Sequence, residues 1–515
     1  MTEKLSDKVV KNVLATIVWQ TVSIVVGFLL TPLLINKLGL EKYGLWALMS
    51  GIIAYINLLD LGAGSGISRF VAESMAKNDW RKASKIISAG IIIYINFSII
   101  LLLFYFFRKE VLGIFKISYS LFNEAVFVMT IFLFVAGMIN IMLVFRSFLI
   151  GIQEMVVSHF FATVGAVLFY VISVVVLKVG GSLREITIAY LVFNIVWSIV
   201  FIFFIGMKYK ELKLFYEYPE KSLFKELFSF GIKVNFTRMC QIINSNLGKV
   251  LLGSIVAVSS ISYFDIGLKV ASFLKMIPYV LLYPISMVAA QLNVLERKSS
   301  LFQVYKKSNK YIFVLGMPIG VFFIFYAEPL IIFWLGNTEF KEAVLILQII
   351  CIGFVIDFFS LAGGSVAYGC GLPEIETKKS VITVLLNLLL GLILIKLFGV
   401  IGIAFSTSIS MSIGAVYFLY AFTKKIGFKF DQSLKKYVVL PIVFAIVTIL
   451  PTSLFNLILP VCVNRITAGI KIVSTMLIYL GLYCLSLIAA NYFDSEDIDL
   501  LKKLWLKINK ILVWQ

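Results

Sequence analysis

Long apolar runs, each about the length of one bilayer crossing, recur from near the first residue to near the last. A spanning helix needs roughly 20 apolar residues. About fourteen runs of that kind are read here, at 13–36, 43–67, 86–107, 122–150, 159–178, 186–207, 231–255, 263–290, 311–335, 343–371, 380–398, 400–423, 437–459 and 468–490. In lipid only helices and closed barrels satisfy the backbone. A barrel would show alternating segments of ~10 residues, and the runs are not of that kind. The expectation is an all-α polytopic membrane protein. Composition agrees: 61% of the residues are hydrophobic, against ~45–50% in soluble chains, so lipid must solvate much of the surface.

The net charge of +19 invites a nucleic-acid reading, but the basic residues lie between spans and not on one soluble face. Counted by alternate loops, Lys and Arg favour one side by roughly three to one, which places both termini in the cytoplasm. The segment 494–515 carries Leu500, Leu504, Ile508 and Leu512 at helical spacing among lysines. It reads as a surface helix on the inner leaflet. The first run is of full spanning length and lacks a small-residue cleavage site, so no cleavable signal is expected. The five cysteines form no CxxC pair and read as packing residues, not a disulfide or metal framework. Neither a cofactor nor catalysis is expected: there is no Walker sequence, and the single histidine, His159, reads as structural.

Two pairs of anchors reveal an internal repeat. Gly151-Ile-Gln-Glu-Met matches Gly371-Leu-Pro-Glu-Ile, and Tyr43-Gly-Leu-Trp matches Tyr263-Phe-Asp-Ile, both at an offset of 220. This predicts a duplicated six-helix unit in parallel orientation, two lobes related by an axis along the membrane normal. The expected organisation is an N-lobe over 1–210, a C-lobe over 211–430, two extra helices over 431–492 and a cytoplasmic tail over 493–515. Two facing lobes around a water-filled cavity are an alternating-access design. The connections 208–230 and 291–310 read as interfacial segments. Pro32, Pro278, Pro284 and Pro318 are candidate hinges.

Charge within the spans carries the functional signal, because a Lys, Arg or Asp near mid-bilayer costs at least ~2.5–3.5 kcal/mol. Arg238 and Lys249 are separated by about 1100°, within ~20° of three full turns, and share one helix face. Asn235, Gln241 and Ser245 fall near the same face. The next span supplies Lys269 and Lys275, with Asp265 a possible partner of Lys269 one turn earlier. Arg146 adds a cation on the fourth span. The first span has its own stripe of Asn12, Thr16, Gln20, Ser23, Gly27 and Thr31, again one face. The candidate substrate-binding set is therefore Arg238, Lys249, Lys275, Lys269, Arg146, Gln241, Ser245, Asn235, Gln20 and Thr16. Asp357, central in its span, and Asp60 are candidates for coupling to H+ or Na+; the competing reading of Asp357 is an ion pair with a cavity cation. Arg69 and Lys233 lie near the interface and read as snorkelling. The run Leu61-Gly-Ala-Gly-Ser-Gly66 ends a span and reads as close packing or local flexing, not a phosphate loop.

The stretch Thr31-Pro-Leu-Leu-Ile-Asn-Lys-Leu-Gly-Leu-Glu-Lys-Tyr-Gly-Leu-Trp46, followed by Leu58-Leu-Asp-Leu-Gly-Ala-Gly-Ser-Gly-Ile-Ser-Arg69, resembles the Wzx-type flippases of lipid-linked oligosaccharides. These form the polysaccharide-transport branch of the multidrug/oligosaccharidyl-lipid/polysaccharide exporter superfamily. The motifs at Gly151 and Gly371 resemble that family too. The resemblance implies twelve helices in two lobes, often with two more, and an inward-to-outward cycle in a bacterial inner membrane. It implies a short glycan on undecaprenyl diphosphate as substrate, with membrane lipids, a polysaccharide polymerase and glycosyltransferases as partners. Two other readings stand beside it: a drug or organic-cation antiporter of the same superfamily, which should line its cavity with acids and aromatics where this chain is net basic, and a lipid scramblase or assembly factor.

Overall fold

The computed structural model describes residues 2–499 apart from 61, 216, 429–430, 457 and 498, with the side chains of 2–10, 59–60, 233–234, 277, 279–281 and 283–284 outside the described set. The expected surface helix of the tail lies outside the described residues from 500 onward. The described chain is helical throughout: α1 (Thr2–Leu38), α2 (Leu40–Ile56), a 3-10 turn (Asn57–Asp60), α3 (Ala63–Ala76), α4 (Trp80–Phe106), α5 (Arg108–Gly113), α6 (Tyr119–Gly151), α7 (Met155–Lys178), α8 (Leu183–Lys208), α9 (Lys221–Ile255), α10 (Val258–Val294), α11 (Lys298–Phe325), α12 (Ala327–Leu335), α13 (Lys341–Gly369), α14 (Pro373–Ile426), α15 (Gln432–Phe455) and α16 (Arg465–Ala489).

Ten helices among the described residues are long and apolar enough to cross a membrane. That count leaves out α10, several of whose side chains lie outside the described set; elsewhere the departure from about fourteen has physical causes. The run expected as one span over 43–67 is broken: α2 ends in the 3-10 turn, and Gly62 takes φ +77° before α3 begins. A Cβ there would collide with the Asn235 amide, so both backbone and packing require glycine. α14 is two helices in one, because Gly399 at φ 58°, ψ −132° lies in a region essentially reserved for glycine. α9 is long enough at 35 residues but carries Lys221, Lys225, Lys233, Arg238 and Lys249. The expected interfacial connections are corrected as well. Residues 221–230 and 298–310 are the first turns of α9 and α11, so the true connections are short. Pro32 and Pro318 sit inside unbroken helices.

The chain forms two compact units, Met1–Ile266 with Ser380–Thr407, and Gly267–Lys379 with Ser408–Gln515. In the first, α3, α4, α6 and α8 bury a core that includes Ile67, Ile86, Tyr94, Val144, Phe148 and Phe201. The first half of α14 joins this unit through a buried polar chain. Asn387 donates to Asn244 of α9 at 2.7 Å, and Ser406 donates to Asn387 at 2.9 Å. Away from water such interhelical bonds tie helices together.

In the second unit α15 and α16 dock on α11 and α12. Tyrosine hydroxyls bridge the helices: Tyr479 donates to the Ala445 carbonyl at 3.0 Å, Tyr326 to Thr452 at 3.2 Å and Tyr483 to Val314 at 3.1 Å. Lys310 of α11, only 1% exposed, is clasped by Asp494 at 2.7 Å and Asp497 at 2.5 Å from the segment after α16. Tyr437 and Tyr492 lie under its ammonium group. A buried lysine is tolerable when it is paired and hydrogen-bonded in this way.

Candidate functional site

α9 presents the polar stripe that its spacing predicts. Arg238, Gln241 and Ser245 are all exposed, and Arg238 has no carboxylate or hydrogen-bond partner among the described residues. Asn235 is not part of this exposed stripe, which corrects the expectation. It is buried against α3, donating to Ser65 at 2.9 Å and to its own helix at Gly231. Its amide caps the approach of the broken helix and is not offered to a ligand. Lys233 has its side chain outside the described set, and so has Asp60. Arg69 pairs with Glu73 one turn on, at 2.8 Å, over the Phe230 ring.

Lys249 lies further along the same helix in a different setting. Its ammonium contacts Asp265 at 2.8 Å, with the side chains 13% and 3% exposed. The other Asp265 oxygen accepts a short hydrogen bond from the Tyr43 hydroxyl. The anchors that mark the sequence repeat, around Tyr43 and Tyr263, thus meet in space. A buried charge needs such a partner and further hydrogen bonds, so Lys249 is saturated where a substrate-binding cation was expected to be free.

The second unit holds a buried cluster around Asp357. Lys379, at the start of α14, contacts Asp357 at 2.8 Å and Glu376 at 3.6 Å. Ser360 donates to Asp357 at 2.8 Å and accepts from Lys379 at 2.6 Å. Lys275 sits 3.9 Å from the centroid of Phe354, within the field of Asp357. Asp357 is therefore paired, and two acids face two cations. Lys379 and Glu376 were not among the sequence candidates, since they precede the apolar part of α14 and read as a loop. Their i,i+3 spacing just after Gly371-Leu-Pro-Glu was the available signal. Lys269 is half-buried.

The stripe on α1 divides. Asn12 and Thr16 do not face a cavity as expected but pack on α7: Asn12 donates to the Gln153 carbonyl at 3.2 Å and Thr16 lies 3.0 Å from the His159 ring. Gln20 is exposed. Beside it, α1, α6, α7 and α8 line a partly open cavity of about 300 Å³. Its walls include Trp19, Phe161, Phe169, Tyr190, Phe193 and Trp197, and it contains Arg146. Gly165 makes room for the Trp197 indole. Arg146 has no carboxylate partner among the described residues and stands 6.0 Å from the Trp19 ring.

Taken together, a multi-pass helical chain whose Arg238, on an exposed stripe, and Arg146, in a partly open cavity, lack carboxylate partners among the described residues is a membrane transporter in class. The family of polysaccharide biosynthesis proteins matches residues 9–290, more than half of the chain, and the chain belongs to that family. An uncharacterized membrane protein of Methanocaldococcus jannaschii is 23% identical over 325 residues, 61% of this chain and 61% of that protein. The chain thus aligns with about three fifths of that relative's length. Among solved structures, the Lipid II flippase MurJ in an inward closed conformation matches with TM-score 0.71 and 18% identity, covering 92% of this chain and 98% of that one. An inward-facing multidrug resistance MATE family transporter of the MOP superfamily matches with TM-score 0.69 and 15% identity, covering 82% and 99%. The fold is that of these transporters.

Proposed function

We propose that the protein flips an undecaprenyl-diphosphate-linked oligosaccharide from the cytoplasmic to the outer leaflet of a bacterial inner membrane, for surface polysaccharide synthesis. The observation that carries this reading is the exposed Arg238 without an acid, in line with Gln241 and Ser245 on a membrane-length helix. A guanidinium so placed suits a diphosphate, which it grips with two parallel hydrogen bonds. At an effective dielectric of ~20, charges ~4 Å apart attract by about 4 kcal/mol, so two or three such contacts offset much of the head group's desolvation. The family's description and the likeness to a lipid flippase support a lipid-linked glycan. Solved relatives in inward-facing and inward closed states support alternating access. The termini lie in the cytoplasm on the loop-charge argument.

The fold likeness to a multidrug transporter makes an organic-cation antiporter the second reading. The charges weigh against it: Asp265 and Asp357 are each held by a lysine, and among the described residues Arg238 and Arg146 have no carboxylate partner. Deletion of the gene and complementation test the first reading. Arg238→Ala at normal membrane abundance should abolish glycan export and leave lipid-linked glycan on the inner leaflet, identified by mass spectrometry, while Arg238→Lys should retain part. Full export by Arg238→Ala would overturn it.

A further inference from the structure

The partly open cavity lined by α1, α6, α7 and α8 combines polar and apolar chemistry. Arg146 lacks a carboxylate among the described residues. The Ser158 hydroxyl, on a residue only 1% exposed, has no hydrogen-bond partner among them either. Both line the cavity. Much of the rest of the wall is aromatic, with Met142 and Asn194 among the other lining residues. Phe193 stacks on Trp197 with ring centroids 5.9 Å apart and planes within 15°, and Phe161 lies 5.7 Å from Trp197. The indole N–H of Trp197 is turned away to the Phe161 carbonyl at 3.3 Å, so the indole offers the cavity a hydrocarbon face.

A half-buried arginine without a carboxylate and a buried hydroxyl without a partner are costly in an apolar setting, and a ligand that satisfies both accounts for them. The arginine's planar fork selects a carboxylate or a phosphate. Flat aromatic faces suit the axial C–H groups of a pyranose ring, and the small number of polar groups would fix its orientation. The volume of about 300 Å³ admits one sugar ring with its acidic substituent. We infer that this cavity binds a single anionic sugar, its acid on Arg146 and Ser158 and its ring against Trp197 and Phe193. The inference deepens the proposed flippase reading, on which it rests for the source of the sugar: an acidic residue of the glycan, or the sugar phosphate that joins the glycan to its lipid.

The test is tryptophan fluorescence of the full-length protein in detergent, titrated with D-glucuronate, glucose 1-phosphate and D-glucose. Trp19 and Trp197 line the site and report on it. At least one anion should bind tenfold or more tightly than glucose. The stronger of the two identifies the source, the carboxylate pointing to a glycan acid and the phosphate to the linkage sugar. Arg146→Gln should lose the preference for the anion, and Arg146→Lys should keep part of it. Ser158→Val, which forfeits no protein hydrogen bond, should weaken anion binding severalfold even if Arg146→Gln does not fold. Equal binding of glucose and both anions, no saturable response to either anion, or an unchanged anion preference in Ser158→Val or in folded Arg146→Gln would overturn the inference. The two readings fail separately. Arg238-dependent export without sugar binding removes only this site, whereas anion-selective binding without export removes only the flippase reading.

Discussion

Lys249 and Asp265 give the sharpest test of the geometry, because one cation reads as substrate-binding in the sequence and as one half of a buried pair in the structure. At 2.8 Å and an effective dielectric of ~20, the direct attraction is about 6 kcal/mol. Most of that is spent on desolvating two groups that are 13% and 3% exposed. Removing one partner strands the other. Lys249→Met takes the ammonium from a buried carboxylate that Tyr43 also holds, and Asp265→Asn takes the carboxylate from a buried ammonium, so each should destabilise by about 3–5 kcal/mol. Removing both should cost no more than about 1 kcal/mol, since paired neutral replacements of similar shape are often nearly neutral. The assay is a double-mutant cycle on apparent unfolding free energies of the purified protein, with glycan export measured in parallel. A structural pair shows a large coupling, and export returns in the double variant together with stability. Coupling below about 0.5 kcal/mol, or a stable double variant that cannot export, would refute the structural assignment and return Lys249 to the substrate.

Three further outcomes are expected. Gly399→Ala should cost about 1–3 kcal/mol in apparent stability through backbone strain alone, since nothing lies within 4 Å of the added Cβ; Gly481→Ala, equally open but without a positive φ, should be neutral or stabilising in the same melt. Burial pushes the carboxyls of Asp494 and Asp497 up, but Lys310 with Tyr437 or Tyr311 outweighs it and holds both below the ordinary value near 3.8. Their contribution is therefore full above that pH and lost as pH falls through the lower folded values, so melting temperature should drop on acidification below about 4, and Asp497→Asn should flatten that limb. If Asp357 couples transport to an ion, Asp357→Asn should abolish the dependence of export on pH or Na+; unchanged dependence would assign Asp357 to its pair with Lys379 alone.

Much of the site was legible in advance for a simple reason. Residues on one helix keep a fixed angular relation whatever surrounds them, so the shared face of Arg238, Gln241 and Ser245 follows from spacing alone. Which charges remain free does not follow, because that depends on what other helices bring. Asp265 neutralises Lys249 only because the start of α10 packs against the end of α9. Lys379 reaches Asp357 only because α14 begins seven residues before the run that reads as its apolar start. The α1 stripe shows the same limit: one face held Asn12, Thr16 and Gln20, and contact with α7 took the first two and left the third exposed.

Apolar run length and backbone satisfaction in lipid were sufficient for the sequence to determine a multi-pass helical protein, since no other secondary structure solvates such runs. Local chemistry also marked the breaks at Gly62 and Gly399 as glycine positions, although only the traced backbone shows that one span divides and that two helices run together. The tertiary structure alone decided the state of each charge and the existence of the aromatic cavity around Arg146. Three consecutive helices and the distant α1 line that volume, and the residues of any one of them carry no record of the other three. The physical reason is range: periodicity is a property of a single helix, whereas burial and ion pairing are properties of helices in contact.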